Sequence, residues 1–357
     1  MQPRFLILGA GITGAALAHR LARIGASVTL VEAGLPASGA SGRSFGWVNA
    51  SFFLSEAHFH LRHAAMSAHR DLAAELKRPW QPEGCIWYQE QGEGFDRTAA
   101  TLQSMGYPLR LLDRAAISAL EPRLADPPDR ALFFPGEAAR DPAALTEELL
   151  AAASAQGAHL LCGLRVTGLT QGDDRITGIR TDAGDIPADH TVLCTGTGTP
   201  ALLAPLGLSF PMLSRPGALM ITRPLPPLLH HILATPDQEV RQDAEGRLIA
   251  PASAHHQADV AEAIVAPQAL EDATLMQLRH LFPNAFIRPD RLLLAERPVP
   301  GDGLPTIGPV LPGLSMAVMH SGATLAPLVA DVMALELTGQ GSQPPLAPFR
   351  PARFFGP

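Results

Sequence analysis

The segment Ile7-Leu8-Gly9-Ala10-Gly11-Ile12-Thr13-Gly14, with Glu32 closing the next apolar run, constrains the fold of this chain more than any other feature. Phe5 to Leu8 predicts a buried strand, and Ile12 to Ile24 predicts a helix because its apolar residues fall at helical spacing. Ser27 to Val31 supplies a second strand, so the chain opens as a βαβ unit. Each glycine has a separate duty in such a unit. Gly9 permits the tight turn, Gly11 lets backbone N–H groups approach a pyrophosphate, and Gly14 lets the helix pack closely on the strand. Glu32, with Ala33 beside it, stands about 20 residues further on, where a carboxylate accepts hydrogen bonds from ribose hydroxyls. An adenosine with an unmodified ribose is the expected ligand.

The chain has 357 residues, of which 46% are hydrophobic, enough to bury a large core, and its length suggests two domains. Its net charge of −7, from 27 basic and 34 acidic residues spread without long blocks, leaves no electrostatic footprint for a nucleic acid or an anionic membrane. No apolar run reaches the 18 or so residues of a membrane span. A first strand starting at Arg4 leaves no room for a secretory leader, so a cytoplasmic location is expected. Cys85, Cys162 and Cys194 lack C-x-x-C spacing and cannot all pair, and each reads as a small core residue.

The stretch after Glu32 separates a flavin from a nicotinamide. A second crossover would normally follow at once, but Gly39 to Asn49 is rich in glycine and serine and also carries Phe45, Trp47 and Val48. Backbone at Gly42 can approach a ligand, while Ser41, Ser44 and Arg43 can hold phosphate or flavin oxygens. Further on, Asp141-Pro142 caps and starts a helix through Gln156, with Gly157 at its end. Short strands are predicted at 159–162, 165–170, 176–181 and 191–194, and the last runs into Thr195-Gly196-Thr197-Gly198. A strand at 314–319 leads through His320-Ser321-Gly322-Ala323-Thr324 into a helix from Leu325 to about Thr338. The amides at the start of that helix suit a partial negative charge, such as the pyrimidine edge of a reduced flavin.

Several histidines invite other readings. His58-Phe59-His60-Leu61-Arg62-His63 has a spacing suggestive of a metal, but it falls on a helix predicted from Glu56 to Leu76. There His58 and His60 point to different faces and no carboxylate or thiolate completes a site, so no metal is expected. His230-His231 and His255-His256 lie in stretches without an assignable motif.

Taken together these motifs resemble the FAD-dependent amine oxidoreductases of the D-amino acid oxidase, glycine oxidase and sarcosine oxidase family. The matching parts are Gly9-x-Gly11-x-x-Gly14 with Glu32, the Ser-rich loop through Ser44, the segment Val166 to Gly196, and Arg297-Pro298 with Asp302-Gly303-x-Pro305-x-Ile307-Gly308. The resemblance implies an α/β fold with a Rossmann-like FAD-binding domain assembled from residues 1–77, 136–205 and 297–357. A mixed-sheet α+β substrate domain would comprise 78–135 and 206–296. It also implies FAD contacts from the residues already named, together with Ala33, Val166, Gly196, Gly303, Gly308, Ser321, Gly322, Ala323 and Thr324. The FAD is expected to be noncovalent, because no cysteine occupies a recognisable attachment position.

The activity implied is hydride transfer to flavin N5 from a carbon bearing an amine, giving an imine that hydrolyses, with a small amino acid or secondary amine as substrate. Arg297 would hold the substrate carboxylate, and His320 would polarise the flavin or move a proton. One departure is that Met319-His320-Ser321-Gly322-Ala323-Thr324 is shorter than the glycine-rich turn of relatives and lacks its leading glycine. Another is that Lys77, the only lysine, follows the helix at 56–76 in a polar boundary, so the oxygen-activating lysine of sarcosine-oxidase-like relatives is missing. The expectation therefore leans to a dehydrogenase using a quinone, dye or protein acceptor over an oxidase using oxygen. Two alternatives stay open: a flavoprotein subunit of a heteromeric amine dehydrogenase, docked through the proline-rich tail at 344–351, and a flavin-binding protein without turnover.

Overall fold

The computed structural model describes residues 3–78, 83–252, 264–341 and 343–355. The opening βαβ unit is present: strand Arg4–Leu8, helix α1 (Ile12–Arg23) and strand Ser27–Glu32. Strand Arg4–Leu8 lies inside a six-stranded sheet of order Thr306–Leu311, Leu314–Val318, His190–Leu193, Arg4–Leu8, Ser27–Glu32, His159–Cys162. All neighbours run parallel except the first pair. Side chains alternate across a strand, so Phe5 and Ile7 enter one core while Leu6 and Leu8 enter another.

Helices cover the first of these faces. Besides α1, they are α2 (Glu56–Glu75), α3 (Pro142–Ala155) and α4 (Gly322–Leu337). Local chemistry fixes where two of them begin. Ser55 Oγ accepts from His58 N at 3.2 Å at the start of α2, and Asp141 accepts from Ala143 N and Ala144 N with Pro142 in the first turn of α3. The opposite face is covered by an antiparallel sheet of Val166–Gly172, Arg175–Thr181 and Gly184–Pro187, whose Ile176 and Ile179 pack on Leu6, Leu8 and Leu193. Its first turn places Asp173 and Asp174 at φ of 49° and 61°, the backbone twist a two-residue hairpin requires.

An eight-stranded sheet follows the order Pro289–Glu296, Pro216–Thr222, Leu248–Pro251, Glu239–Gln242, Ile232–Ala234, Cys85–Trp87, Arg130–Phe134, Arg110–Asp113. It is mixed, with Ile232–Ala234 and Cys85–Trp87 paired in parallel and the other neighbours antiparallel. One face packs under helix Pro267–Leu281 through Leu278, beside Phe282. The other meets Phe45, Trp47, Phe59 and Met66 from the loop after Ser44 and from α2. The Gly/Ser-rich loop is therefore clasped between the two sheets.

The start of α4 departs from expectation. It begins at Gly322, three residues before Leu325, because Ser321 O already accepts from Thr324 N at 3.0 Å and Leu325 N at 2.9 Å. This first turn packs on the head of α1, where a Cβ at Gly322 would lie 3.4 Å from Ile12 Cγ2, in ordinary contact.

Gly14 carries the closest helix-to-strand approach: a Cβ there would lie 2.0 Å from the carbonyl oxygen of Gly9, and no side chain can relieve a backbone clash. Gly14→Ala should cost about 3 kcal/mol through forced backbone displacement. Gly39→Ala, where an added Cβ meets nothing within 4 Å, should be close to neutral. Thermal unfolding of the two variants decides, and equal midpoints would remove this packing duty from Gly14.

Candidate active site

A cleft of about 530 Å³ runs along the carboxyl ends of the first sheet, lined by Gly9, Gly11, Thr13, Glu32, Ala33, Ser38, Ser41, Ser44, Val166, Gly196, His320, Gly322 and Ala323 among others. Glu32 is fixed at one end. Its Oε2 accepts from Ala10 N at 2.8 Å and its Oε1 from Gly34 N at 2.8 Å, which holds the carboxylate in the cleft wall with lone pairs to spare. The N-cap of α1 is Gly11, which has no side chain of its own, and Ser41 Oγ reaches in to accept from Ile12 N at 3.0 Å. A Cβ at Gly9 would lie 2.5 Å from Cys194 O, and one at Gly11 would lie 3.1 Å from Ser41 Oγ. The wall is thus bare backbone at a helix N-terminus with a carboxylate one strand away, a donor and acceptor set that fits the pyrophosphate and ribose of a dinucleotide.

A second, smaller cavity of about 120 Å³ lies between the sheets. It shares Ala40, Ser44, Pro298, His320 and Ala323 with the cleft and adds Phe45, Trp47, Arg62, Leu219, Pro251, Arg297, Ser321 and Thr324. The backbone N and Nε of Arg297 both donate to Arg215 O, at 2.9 and 3.1 Å, which seats it in the cavity wall. Thr324 Oγ1 donates to Trp47 O at 3.0 Å and so joins α4 to the loop.

Other predicted site residues are placed differently. The Arg43 guanidinium is engaged by the carbonyls of Ser38 and Gly39, which closes its own loop, and Arg43 lines the smaller cavity and not the larger cleft. Gly42 also builds that loop, through Gly42 N to Ala37 O at 2.9 Å. Gly303 and Gly308 lie outside both cavities. Gly303 is in a turn on Pro300 O, and Gly308, at φ 128°, clears space for the Arg350 guanidinium, which pairs with Glu336.

His58 is buried and His60 exposed, on different faces of α2 as the helical spacing requires. His231 Nδ1 meets buried Glu121 at 2.6 Å and lies outside both cavities, as does His230. His255-His256 fall outside the described residues. Among the described residues, no three His, Cys, Asp or Glu side chains are grouped to hold a metal ion, and no helix is long and apolar enough to cross a membrane. The proline-rich tail packs inward, with Leu346 and Phe349 buried in the core under the first sheet's helices.

Two buried charges escaped sequence reasoning. Arg62 is 1% exposed and donates from Nε to Asn49 O at 3.1 Å, and it also bonds Asn49 Oδ1 and Ser321 Oγ. Burial lowers its pKa to about 10, so it stays cationic at neutral pH. Its signal was its place on the inner face of α2, in series with Phe59, Met66 and Ala73. Glu137 accepts from Trp47 Nε1 at 2.8 Å, Tyr107 OH at 2.7 Å and Ser51 N at 3.4 Å, and so braces the aromatic wall of the smaller cavity from behind. A lone glutamate between Gly136 and Ala138 gave no signal in the sequence.

The chain matches the family of FAD dependent oxidoreductases over residues 4–335. It belongs to that family. FAD is accordingly its cofactor, and the donors and acceptors of the cleft wall fit a dinucleotide of that kind. The chain is similar to a D-amino acid dehydrogenase of Granulibacter bethesdensis, 31% identical over 222 residues, which are 60% of this chain and 53% of that protein. The chain thus spans about half the length of that dehydrogenase. It is also similar to a glycine oxidase of Pseudomonas aeruginosa, 26% identical over 99% of each chain. Among solved structures, glycine oxidase from Geobacillus kaustophilus superposes with a TM-score of 0.87 at 25% identity, covering 99% of this chain and 100% of the other.

Burial raises the Glu137 pKa to about 7, against the pull of its three hydrogen bonds. Native protein therefore holds a proton that the unfolded chain releases between the ordinary glutamate range and about pH 7, and stability falls as pH rises through that window. Glu137→Gln keeps a neutral side chain throughout, so its stability should match the parent near pH 4 and exceed it at pH 8 by on the order of 2 kcal/mol. Denaturant unfolding across this range is the check, and parallel pH profiles for the two proteins would refute the assignment.

Proposed function

We propose that this protein oxidises the C–N bond of a small amino acid or secondary amine with a noncovalently held FAD, and passes the electrons to an acceptor other than oxygen. One observation carries this reading: Arg297, His320 and the first turn of α4 converge on a cavity of about 120 Å³, walled in part by Phe45, Trp47 and Leu219, that shares lining residues with the dinucleotide cleft. A planar guanidinium in that wall can pair with a substrate carboxylate at two points, fixing the carbon that bears the amine. When bound, FAD accepts a hydride from that carbon, and the resulting imine hydrolyses in water.

The protein's part is orientation and electrostatics. Arg297 is anchored through Nε on Arg215 O, so its carboxylate grip does not wander. Phe45, Trp47, Leu219 and Pro251 keep the reacting carbon away from water and leave room for a short side chain only. His320, in the wall common to both spaces, can hold or pass a proton at the amine. The amides of Gly322 and Ala323 sit where negative charge develops on the pyrimidine edge. Similarity to a glycine oxidase and a D-amino acid dehydrogenase supports a small amino acid as substrate. A noncovalent cofactor is supported by Cys85 being buried in an apolar core, by Cys162 lying outside both cavities, and by burial pushing the pKa of the Cys194 thiol, which lines the cleft, up to about 12 so that it stays protonated.

The acceptor is argued from Lys77, which is exposed and at a distance from both linings. No lysine ammonium can then stabilise developing superoxide.

Arg297→Leu should raise KM for an amino acid substrate about a hundredfold while FAD content stays at the parent level, since a charge-assisted pair is lost and the cofactor cleft is untouched. Steady-state kinetics with a flavin count tests this, and an unaltered KM refutes the role. Substrate-reduced enzyme mixed with air-saturated buffer in a stopped-flow instrument should reoxidise more slowly than it turns over on an artificial acceptor. Reoxidation that keeps pace with turnover and yields hydrogen peroxide would identify an oxidase.

A further inference from the structure

Helix α4 contains Pro327, five residues after its start. Proline has no N–H, so the Ala323 carbonyl, which a helix would satisfy from residue 327, loses its donor. The carbonyl belongs to a half-buried residue at the turn that lines both cavities, where an unsatisfied oxygen carries a cost. His69 of α2 takes the missing place: its Nε2 lies 2.9 Å from Ala323 O and 3.1 Å from Thr324 O. Both partners are acceptors, so Nε2 carries the ring proton and donates. Burial holds the imidazole pKa down to about 4, so His69 is neutral at physiological pH.

Arg62 lies seven residues earlier on the same helix. Two turns bring both residues to one face, and Arg62 bonds the Oγ of Ser321, the N-cap residue of α4. The first turn of α4 is therefore gripped twice from α2, at its cap by Arg62 and, by His69, at the carbonyls of Thr324 and of Ala323, which lost its donor to Pro327.

We propose that His69 is a positioning residue: it replaces the backbone hydrogen bond that Pro327 removes, and so aims the first-turn amides of α4 at the flavin pyrimidine edge. The inference rests on the siting of that edge proposed above. It explains why a proline is tolerated so near a working helix end: the turn ahead of it is held by another element.

Sulfite is the probe, because it adds to flavin N5 and leaves negative charge on the pyrimidine edge, which correctly aimed amides stabilise. In the FAD-loaded protein, His69→Leu should weaken sulfite binding about tenfold and lower the flavin midpoint potential. His69→Gln, which keeps a donor, should restore both. The deciding variant is His69→Leu combined with Pro327→Ala, in which residue 327 regains an N–H for Ala323 O and sulfite affinity should return toward the parent value. A side chain that merely fills space would show no such rescue. Parent-like sulfite affinity in His69→Leu, or a loss that Pro327→Ala leaves unrepaired, overturns the proposal. Should His69→Leu fail to fold, recovery of a folded, FAD-loaded double variant supports the proposal and continued failure overturns it. Ala323→Asp separates the two layers of inference. Unchanged sulfite affinity there shows that the flavin edge lies elsewhere, whereas a loss there beside an inert His69→Leu condemns the His69 role alone.

Discussion

The contact of Gly14 with the carbonyl of Gly9 underlies the rest of the site. It brings α1 down onto the first sheet, and α4 begins at Gly322 within van der Waals reach of Ile12 and Thr13 at the head of α1. Two helix N-termini thus meet at one cleft, and their positive ends add. A ligand carrying a pyrophosphate at one end and a reducible, charge-accepting ring at the other matches such a pair. Glu32, pinned by Ala10 N and Gly34 N, adds the one carboxylate needed at the ribose end.

The second sheet contributes shape more than charge. Its inner face meets Phe45 and Trp47, which belong to the loop after the dinucleotide motif, so the wall of the smaller cavity is shared between the sheets. Glu137 and Tyr107 hold Trp47 from behind, and Thr324 holds its carbonyl from the front. The loop that lines the dinucleotide cleft and the aromatic wall of the smaller cavity are one continuous segment. Movement in either would be felt by the other.

What was legible in the sequence was what local physics decides. The βαβ unit and the capped helix α3 follow from periodicity and capping acting within a few residues. The start of α4 was misplaced because Ser321, Gly322 and Ala323 carry little pattern, and their helix is set by contact with α1. Arg43 read as a ligand for phosphate or flavin oxygens by residue type, and it lines the smaller cavity with carbonyls of its own loop engaging its guanidinium, a contact that residue type did not announce. Gly308 read as a cofactor glycine, but the side chain it makes room for arrives from Arg350, over forty residues away. Arg62, Glu137 and His69 depend on partners between 13 and 259 residues distant, which no local pattern encodes.

The strand Arg4–Leu8 pairs on one side with a segment made soon after it and on the other with His190–Leu193, 185 residues later. At translation rates of roughly 5–20 residues per second, that second partner emerges on the order of ten seconds or more after the strand itself. During that interval a very apolar strand has one edge of unsatisfied backbone, the kind of surface that recruits foreign strands. The protein's yield in a cell should accordingly be governed by what shields this nascent edge, through chaperone capacity and growth temperature, at least as much as by the stability of the finished fold.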